Sequence, residues 1–275
     1  MRYPYGKNIF LTGGSSGIGL AAAELFASKG YTVYSASRSP AAGARSFPGG
    51  GEIRPVALDV RDARSVDAAA EAVLAKADIG ILVHCAGVGI ACAGEEYAQG
   101  EVEDLIGTNL YGVMRVNSRF LPHMRGRGKG LCVIVGSVAG VFPIPYQSHY
   151  CASKAALDIY GAALRMELRG FGVRVSLVLP GDTSTGFTGA RRYVTDESSP
   201  FHGACLRAVR RMERDEISGR PPESAARAIF GLSMRGNPPA RKVVGLDYKL
   251  LVFLRRLLPD RFVEFALRAV YMRNE

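Results

Sequence analysis

A glycine-rich segment near the start of the chain constrains the fold more than any other feature. It reads Thr-Gly-Gly-Ser-Ser-Gly-Ile-Gly over Thr12–Gly19, between an apolar run, Asn8–Thr12, and an Ala-rich run, Ile18–Lys29. Glycines allow a tight turn between a strand and a helix, and they let the backbone approach a pyrophosphate at the positive helix N-terminus. A glycine motif alone is weak evidence for a dinucleotide site. Its place between a predicted strand and a predicted helix favours a dinucleotide site over an ordinary turn.

Short β-rich runs alternate with amphipathic runs through the first two thirds of the chain. Further strands are predicted at residues 31–37, 53–58, 79–85, 131–136 and 173–179, and helices at 62–77, 95–124 and 148–169. The run Ile79–Cys85 is nearly all apolar, as in a strand buried on both faces. Regular alternation predicts a parallel sheet with helices on both faces. We therefore predict an α/β fold, a doubly wound Rossmann-type domain.

The alternation stops after Pro180. The stretch Gly181–Arg192 is predicted to be a loop, residues 198–215 a loop and then a helix, and Arg241–Gly245 a last strand. Two apolar and basic helices are predicted at residues 248–258 and 261–272, separated by Pro259. Because no linker separates these parts, we expect one domain over residues 1–275. Its substrate lid would span about residues 186–220, and a C-terminal helical extension about residues 248–273.

The charge balance narrows the choice of partners. Lys and Arg number 35 against 25 Asp and Glu, for a net charge of +10 at pH 7. A basic balance attracts nucleic acid, anionic membranes or anionic ligands. The basic residues are scattered, so we predict no nucleic-acid partner and at most a peripheral membrane contact. The densest cluster is interpreted either as a solvated helix face or as a docking surface for an acidic substrate or carrier; it contains Arg207, Arg210, Arg211 and Arg214.

The cysteines and the apolar runs indicate the cellular compartment in which the protein is expected. The five cysteines form no Cys-x-x-Cys pair, and an odd number does not suit a secreted disulfide framework. Reduced thiols are typical of the cytosol, so a cytoplasmic protein is expected. No metal site is predicted. The residues Met1–Lys7 lack the apolar stretch of a signal peptide. No run of 18 apolar residues is present, so no membrane-spanning helix is predicted.

The end of the second strand indicates which nicotinamide cofactor is preferred. NAD-binding sites place a carboxylate there to accept a hydrogen bond from the ribose 2′-hydroxyl. Here the strand ends in Ser37 and Arg38, without a carboxylate. Arg38 would pair with a 2′-phosphate and Ser37 would add a hydrogen bond, so NADP(H) is predicted over NAD(H). The alternative is that Arg38 is an ordinary surface charge.

Tyr150 and Lys154 are the candidate acid/base pair. They stand four residues apart on a predicted helix and so share a face. An ammonium beside a phenol favours the phenolate, which moves the phenol pKa toward neutral pH. Ser137 follows a predicted buried strand, where parallel sheets present ligand-facing residues. It could hold a carbonyl oxygen while Tyr150 delivers a proton.

Together these features resemble the short-chain dehydrogenase/reductase family, in its single-domain branch, over about residues 7–185. The resemblance also covers Asp59-Val60, where the family contacts adenine, and Cys85-Ala86-Gly87, which matches the family's Asn-Ala-Gly. Asn109 matches its catalytic asparagine. The segment Pro180–Thr185 matches the motif that holds the nicotinamide carboxamide.

The resemblance implies a role for each matched residue. Ser137 would orient the carbonyl, and Tyr150 would protonate it as hydride arrives from the nicotinamide. Lys154 would lower the Tyr150 pKa and bond the nicotinamide ribose, and Asn109 would hold a water of a proton relay. The expected cofactor-binding residues are Gly13, Ser15, Ser16, Gly17, Ile18, Gly19, Ser37, Arg38, Asp59, Val60, Cys85, Ala86, Gly87, Tyr150, Lys154, Pro180, Gly181, Thr183 and Thr185.

Three residues near these motifs need separate interpretation. Cys85 stands where the family has asparagine, and because a thiol bonds weakly, the bonding at that strand end must come from elsewhere. His84 is interpreted as a buried strand residue rather than a catalytic one. His149 adjoins Tyr150, but neighbouring helical residues do not share a face, so it is not expected to touch substrate.

The loops around the site predict an apolar substrate pocket with few polar groups. The expected substrate-binding residues are Ser137, Val138, Phe142, Tyr150 and Phe187. The stretch Ser137–Lys154 is similar to hydroxysteroid and retinol dehydrogenases of the family, which implies a secondary alcohol or ketone on a hydroxysteroid, bile acid or comparable lipid. The alternatives are a 3-oxoacyl-carrier-protein reductase and a non-catalytic nucleotide-binding regulator. The resemblance also implies a homodimer or homotetramer through the helices around Asn109 and Tyr150.

Overall fold

The computed structural model describes residues 3–272. The strands are β1 (Asn8–Thr12), β2 (Thr32–Ser37), β3 (Arg45–Ser46), β4 (Glu52–Ala57), β5 (Ile81–His84), β6 (Ile90–Cys92), β7 (Gly130–Val135), β8 (Val173–Leu179), β9 (Arg192–Val194) and β10 (Arg241–Val243). The helices are α1 (Gly17–Ser28), α2 (Ala63–Leu74), α3 (Gln99–Ile106), α4 (Gly112–Gly126), α5 (Ser148–Leu168), α6 (His202–Ile217), α7 (Pro222–Ser233), α8 (Leu246–Arg255) and α9 (Asp260–Tyr271).

Eight of the strands form one sheet in the order β10-β8-β7-β5-β1-β2-β4-β3. Every pair in it is parallel except β3 with β4. The predicted Rossmann-type α/β fold is therefore confirmed. Since β1 lies between β2 and β5, the chain leaves β1 and β5 in opposite directions. A crevice forms outside their carboxyl ends, where ligands bind in sheets of this kind.

Alternate residues of the inner strands enter two separate apolar layers. Phe10 belongs to the layer that packs against α4, and its ring stacks on Phe120 with centroids 4.2 Å apart. Its neighbours Ile9 and Leu11 belong to the other layer, with Phe26 of α1 and Ile229 of α7. The sheet is thus covered on both faces, which explains why its strands are apolar throughout.

The structure adds elements that the sequence pattern did not indicate. The helix α7 packs on α1 through Ala225, Ala226 and Ile229, and it begins at Pro222, a residue suited to the first helical turn. Two strands of three residues pair in parallel: β6, which follows β5, and β9, which begins at the end of the predicted loop Gly181–Arg192. The predicted helix 95–124 is interrupted by a π-helical turn, Gly107–Tyr111, between α3 and α4. The expected C-terminal extension reaches residue 273, which lies outside the described residues.

Candidate active site

A cavity of about 450 Å³ opens at the carboxyl edge of the sheet. Its wall includes the glycine-rich loop, the ends of β2, β5, β7 and β8, and the start of α5. All the expected cofactor-binding residues line it, namely Gly13, Ser15, Ser16, Gly17, Ile18, Gly19, Ser37, Arg38, Asp59, Val60, Cys85, Ala86, Gly87, Tyr150, Lys154, Pro180, Gly181, Thr183 and Thr185. The fold therefore brings residues from distant parts of the sequence into one site.

The glycine-rich loop needs glycine at specific positions. Gly13 has a φ of +72°, and a Cβ there would lie 2.5 Å from the backbone nitrogen of Ala86. A Cβ on Gly19 would lie 2.0 Å from the carbonyl oxygen of Gly13. Ser16, which precedes α1, makes no side-chain hydrogen bond to the first turn of that helix. The first-turn N–H groups are thus uncapped beside the cavity, and this arrangement fits the phosphates of a dinucleotide.

Two charged residues follow neighbouring strands at the cavity: Asp59, which is paired, follows β4, and Arg38, which is unpaired among the described residues, follows β2. The Asp59 carboxylate lies 2.9 Å from the Arg61 guanidinium and accepts a hydrogen bond of 2.9 Å from the Arg61 backbone N–H. These bonds with Arg61 hold the pKa of Asp59 below its usual range. Arg38 is exposed at the rim of the cavity, and no carboxylate within residues 3–272 lies in salt-bridge distance of it. Its charge faces solvent and any ligand that enters.

Tyr150 and Lys154 lie on the cavity wall one turn apart in α5, and Ser137, just after β7, lines the same cavity beside Tyr150. The Lys154 ammonium donates to the Val135 carbonyl at 3.3 Å and lies 5.7 Å from the Tyr150 ring centroid. The Ser137 Oγ accepts a hydrogen bond of 3.1 Å from the Ala139 N–H, which fixes its orientation. A hydroxyl, a phenol and an ammonium therefore share one cavity.

Burial dominates the titration of the Tyr150–Lys154 pair. It raises the pKa of the Tyr150 phenol well above 10, and the neighbouring Ser137 hydroxyl only partly opposes this. Burial lowers the pKa of Lys154 to about 8. The expectation that Lys154 draws the Tyr150 pKa toward neutrality is not met, because burial disfavours both charged forms. At pH 7 the phenol keeps its proton and the lysine is still mostly charged.

Asn109 is buried and does not line the cavity. Its Oδ1 accepts from the Val88 N–H at 2.9 Å, and its Nδ2 donates to the Val88 carbonyl at 3.0 Å and to Ser153 Oγ at 3.1 Å. Both amide hydrogens are thus used within the protein. The expected water-holding role stays a prediction; in this structure the Asn109 side chain bonds the segment after β5 to α5.

The bonding that Cys85 cannot provide comes from Thr12 at the end of β1. The Cys85 N–H donates to the Thr12 carbonyl at 3.0 Å, and the Ala86 N–H donates to Thr12 Oγ1 at 3.4 Å. Burial raises the pKa of the Cys85 thiol to about 12, so it remains neutral. The substitution therefore leaves the strand end held by the backbone and by a threonine.

Neither histidine near the motifs reaches the cavity. His84 is buried in β5, with its Nε2 2.9 Å from Asn117 Oδ1. His149 lies instead beside Cys92, whose Sγ is 3.5 Å from the His149 Nδ1. The interpretation of His84 as a buried strand residue agrees with this placement, and so does the expectation that His149 does not touch substrate.

We expect His84 to make the fold sensitive to mild acid. Burial lowers its folded-state pKa to about 4, against 6.5 in an unfolded chain. Between these values only the unfolded chain takes up the proton, so the free energy of unfolding falls as pH drops from 6.5 to 4, by about 3 kcal/mol in total. Urea unfolding at several pH values measures this slope. A His84→Gln protein should lack this part of it, and equal slopes in both proteins would contradict the prediction.

The substrate side of the cavity differs from the expected apolar pocket. Val138, Ile144 and Phe187 line it, and the Phe187 ring lies 5.8 Å from that of Tyr150. Phe142 does not line it; this expectation is corrected, since the backbone of Phe142 turns back to bond the Val138 carbonyl at 3.0 Å. The lining also includes four polar side chains that sequence reasoning missed: Gln147, Asp182, Arg191 and Glu216.

Three of these polar side chains bond to other segments of the chain. The buried Arg191 forms a salt bridge with Glu216 of α6, and Thr188 Oγ1 donates to the same carboxylate at 2.6 Å. The Asp182 carboxylate accepts a hydrogen bond from the hydroxyl of Tyr248 in α8. No motif marks Arg191 or Glu216, and the Pro180–Thr185 motif does not indicate the partner of Asp182, because each pair joins segments that meet only in the folded chain.

Two negative findings apply to the described residues. Within residues 3–272, no group of three or more His, Cys, Asp or Glu side chains is arranged to hold a metal ion. Over the same range, none of the helices combines the length and apolar character that crossing a bilayer requires.

Comparisons with known proteins agree with this geometry. The family model for short chain dehydrogenase matches residues 7–194. The chain is 35% identical to the 3-ketodihydrosphingosine reductase of Bacteroides thetaiotaomicron, over 96% of this chain and 97% of that protein. It is 32% identical to human 17-beta-hydroxysteroid dehydrogenase type 1, over 92% and 81% of the two chains.

A solved structure shares the fold over almost the whole chain. It is a short chain dehydrogenase/reductase from Burkholderia phymatum in complex with NAD, with a TM-score of 0.79 and 28% identity over 94% of this chain and 95% of that one. Sequence, fold and site thus lead to the same assignment. The protein belongs to the short-chain dehydrogenase family and is an oxidoreductase of that family.

Proposed function

We propose that this protein uses NADPH to reduce a ketone on a long-chain or polycyclic lipid to a secondary alcohol. The observation that carries the proposal is the meeting of Ser137, Tyr150 and Lys154 in the cavity that also contains the glycine-rich loop. A proton donor next to a dinucleotide-sized crevice is what carbonyl reduction requires.

The residues of this chain divide the chemistry between them. The glycine-rich loop and the uncapped start of α1 would hold the phosphates of NADPH, which supplies a hydride when bound. The Ser137 hydroxyl would donate a hydrogen bond to the substrate carbonyl oxygen. The protonated Tyr150 phenol would give its proton to that oxygen. Lys154, still charged at pH 7, would stabilise the negative charge left on Tyr150.

Two substrate classes follow from the relatives. The 3-ketodihydrosphingosine reductase aligns over nearly its full length and favours a long-chain amino ketone. The 17-beta-hydroxysteroid dehydrogenase favours a ketosteroid, as the motif around Tyr150 first suggested. The apolar wall of Val138, Ile144 and Phe187 suits both. The charged pair of Arg191 and Glu216 beside it suits the more polar head of the first, which we place ahead.

A substrate panel tests this order. The purified protein is mixed with NADPH and 3-ketodihydrosphingosine, a set of ketosteroids and bile acids, or a 3-oxoacyl carrier protein, and NADPH absorbance is followed. Turnover of the long-chain ketone at the highest kcat/KM is the expected result. Preference for a ketosteroid would select the second candidate. Turnover of the acyl carrier alone would assign the exposed arginines of α6 to docking that carrier instead.

Arg38 is expected to set the cofactor preference. In an Arg38→Ser protein the 2′-phosphate of NADPH loses its charged partner, so NADPH binding should weaken by about 10- to 100-fold while NADH binding stays nearly constant. Fluorescence titration of both cofactors measures this. Arg125→Ser, which changes an exposed arginine away from the cavity, is the control. Equal weakening of NADPH and NADH binding would show that Arg38 does not read the phosphate.

The proposal extends to assembly and location. Ile159 and Met166 are exposed large apolar side chains of α5, and Tyr111 is exposed in the turn before α4. Apolar surface of this kind on long helices supports a homodimer or homotetramer built on α4 and α5. The cysteines are unpaired in the described structure, which supports a reducing, cytoplasmic location.

A further inference from the structure

The C-terminal helices α8 and α9 expose an unusual amount of apolar surface. Nine of the sixteen large apolar side chains that are exposed within residues 3–272 belong to the last 27 of these residues, Leu246–Met272. A soluble monomer rarely gathers such side chains in one region unless they meet a partner. Packing within the chain therefore does not explain the exposed apolar surface of these two helices.

The exposed side chains recur at helical spacing. On α8 and just after it, Leu246, Leu250, Phe253 and Leu257 follow one another at intervals of three and four residues. On α9, Phe262, Phe265, Ala266 and Ala269 occupy positions i, i+3, i+4 and i+7, which lie on one face of a helix. The opposite side of each helix packs inward, through Val252 in α8 and Val263 in α9. Each helix thus has one apolar face toward the domain and a second toward solvent.

Beside these apolar faces, positive charges outnumber negative charges. Each carboxylate of α8 and α9 has a basic partner: Asp247 pairs with Arg220, Asp260 with Arg255, and Glu264 lies 3.8 Å from Arg268. By contrast, Lys249, Arg256 and Arg261 are exposed and have no acidic partner within residues 3–272. Aromatic and aliphatic side chains bordered by free cations match the boundary between the acyl chains and the headgroups of an anionic membrane.

We propose that α8 and α9 dock this protein on the surface of an anionic phospholipid bilayer. The apolar stripes enter the headgroup boundary, while Arg256, Arg261 and Lys249 contact lipid phosphates. A second copy of the chain fits this surface less well, because a symmetric contact would bring the same unpaired cations together. The bilayer offers both an apolar phase and negative charge.

The docking helices are connected to the cavity. The Tyr248 hydroxyl on α8 bonds the Asp182 side chain, and Asp182 lines the cavity. A protein resting on α8 would therefore hold its substrate cavity close to the membrane, where a lipid ketone is dissolved. This last step rests on the proposed function, whereas membrane binding itself does not.

Vesicle sedimentation with the full-length protein tests the docking. Binding is compared between phosphatidylcholine vesicles and vesicles that also contain phosphatidylglycerol, at low and high salt. We expect clear preference for the anionic vesicles and weaker binding at high salt. The Phe262→Ser/Phe265→Ser protein should bind roughly tenfold less well, and so should Arg256→Gln/Arg261→Gln. The matched control is Phe171→Ser, since Phe171 is 52% exposed and Phe262 54%; its binding should not change.

A second assay measures the reduction of a short, water-soluble ketone by each variant. It shows whether a variant that no longer binds vesicles is still folded and still has the proposed activity. The docking variants should keep that activity. If neither the wild-type protein nor the variants reduce any ketone, the variants should instead keep the unfolding midpoint of the wild-type protein. Failure to sediment with either vesicle would overturn the proposal. Self-association that rises with protein concentration and disappears in Phe262→Ser/Phe265→Ser would overturn it too, and would assign the face to a second copy.

Discussion

Replacing Tyr150 with phenylalanine is expected to reduce NADPH-dependent ketone reduction by about 10²–10⁴-fold. The change removes one hydroxyl from the cavity wall and leaves the ring, which packs near Phe187, in place. The proton for the carbonyl oxygen is then lost while the shape of the site is kept. The measurement is kcat with the best ketone of the panel, together with NADPH binding by fluorescence, which should change little.

The control for this variant is Tyr160→Phe on the same helix. The Tyr160 hydroxyl accepts a hydrogen bond of 3.1 Å from Asn117 and lies outside the cavity. Its removal should leave kcat near the wild-type value. Comparable kcat values for Tyr150→Phe and the wild-type protein would mean that another group supplies the proton.

The second large effect is expected at the salt bridge between Arg191 and Glu216, which both lie in the proposed lid. In a Glu216→Gln protein the Arg191 guanidinium stays buried without its counter-charge, and loss of one partner of a buried pair costs about 3–5 kcal/mol. The side chain of Arg191 is 0% exposed and that of Glu216 16%. Urea unfolding measures the loss. If the lid opens rather than the whole domain, KM for the ketone should rise while the unfolding midpoint shifts less.

An exposed pair of the same type provides the comparison. Glu264 lies 3.8 Å from Arg268 in α9, and its side chain is 67% exposed. Solvent screens such a pair, so Glu264→Gln should cost about 0–1 kcal/mol. A Glu216→Gln protein that lost no more stability than Glu264→Gln, and kept its KM, would show that the buried pair does not hold the lid.

The sequence predicted the core of the fold because its strands are short, apolar and regularly spaced. Strand β8, at Val173–Leu179, has the predicted ends, and the inner strands differ by a few residues at most. The pattern failed where structure depends on distant partners. The strands β6 and β9 are three residues each and pair across about a hundred residues. The π-helical turn at Gly107–Tyr111 continues a helical pattern and leaves no periodic trace.

The site was predictable where it is built from motifs. The glycine-rich loop, Ser137, Tyr150 and Lys154 fall on strand ends and helix starts, and all of them line the cavity. The motifs do not predict the surroundings of those residues. The Asn109 side chain forms hydrogen bonds with Val88 and Ser153, and the pKa of Tyr150 rises because the site is buried. Burial and side-chain partners arise from packing, and a motif does not record them.

We expect this cavity to direct a hydride to a lipid ketone while Tyr150 supplies the proton. Deuterium at the transferable position of the NADPH nicotinamide tests it most directly, with mass spectrometry of the alcohol formed from 3-ketodihydrosphingosine or the best ketosteroid. We expect one deuterium on the carbinol carbon of the product, and formation of that product slowed about 10²–10⁴-fold in Tyr150→Phe under the same conditions. Tight NADPH binding without any labelled alcohol across the panel would contradict it.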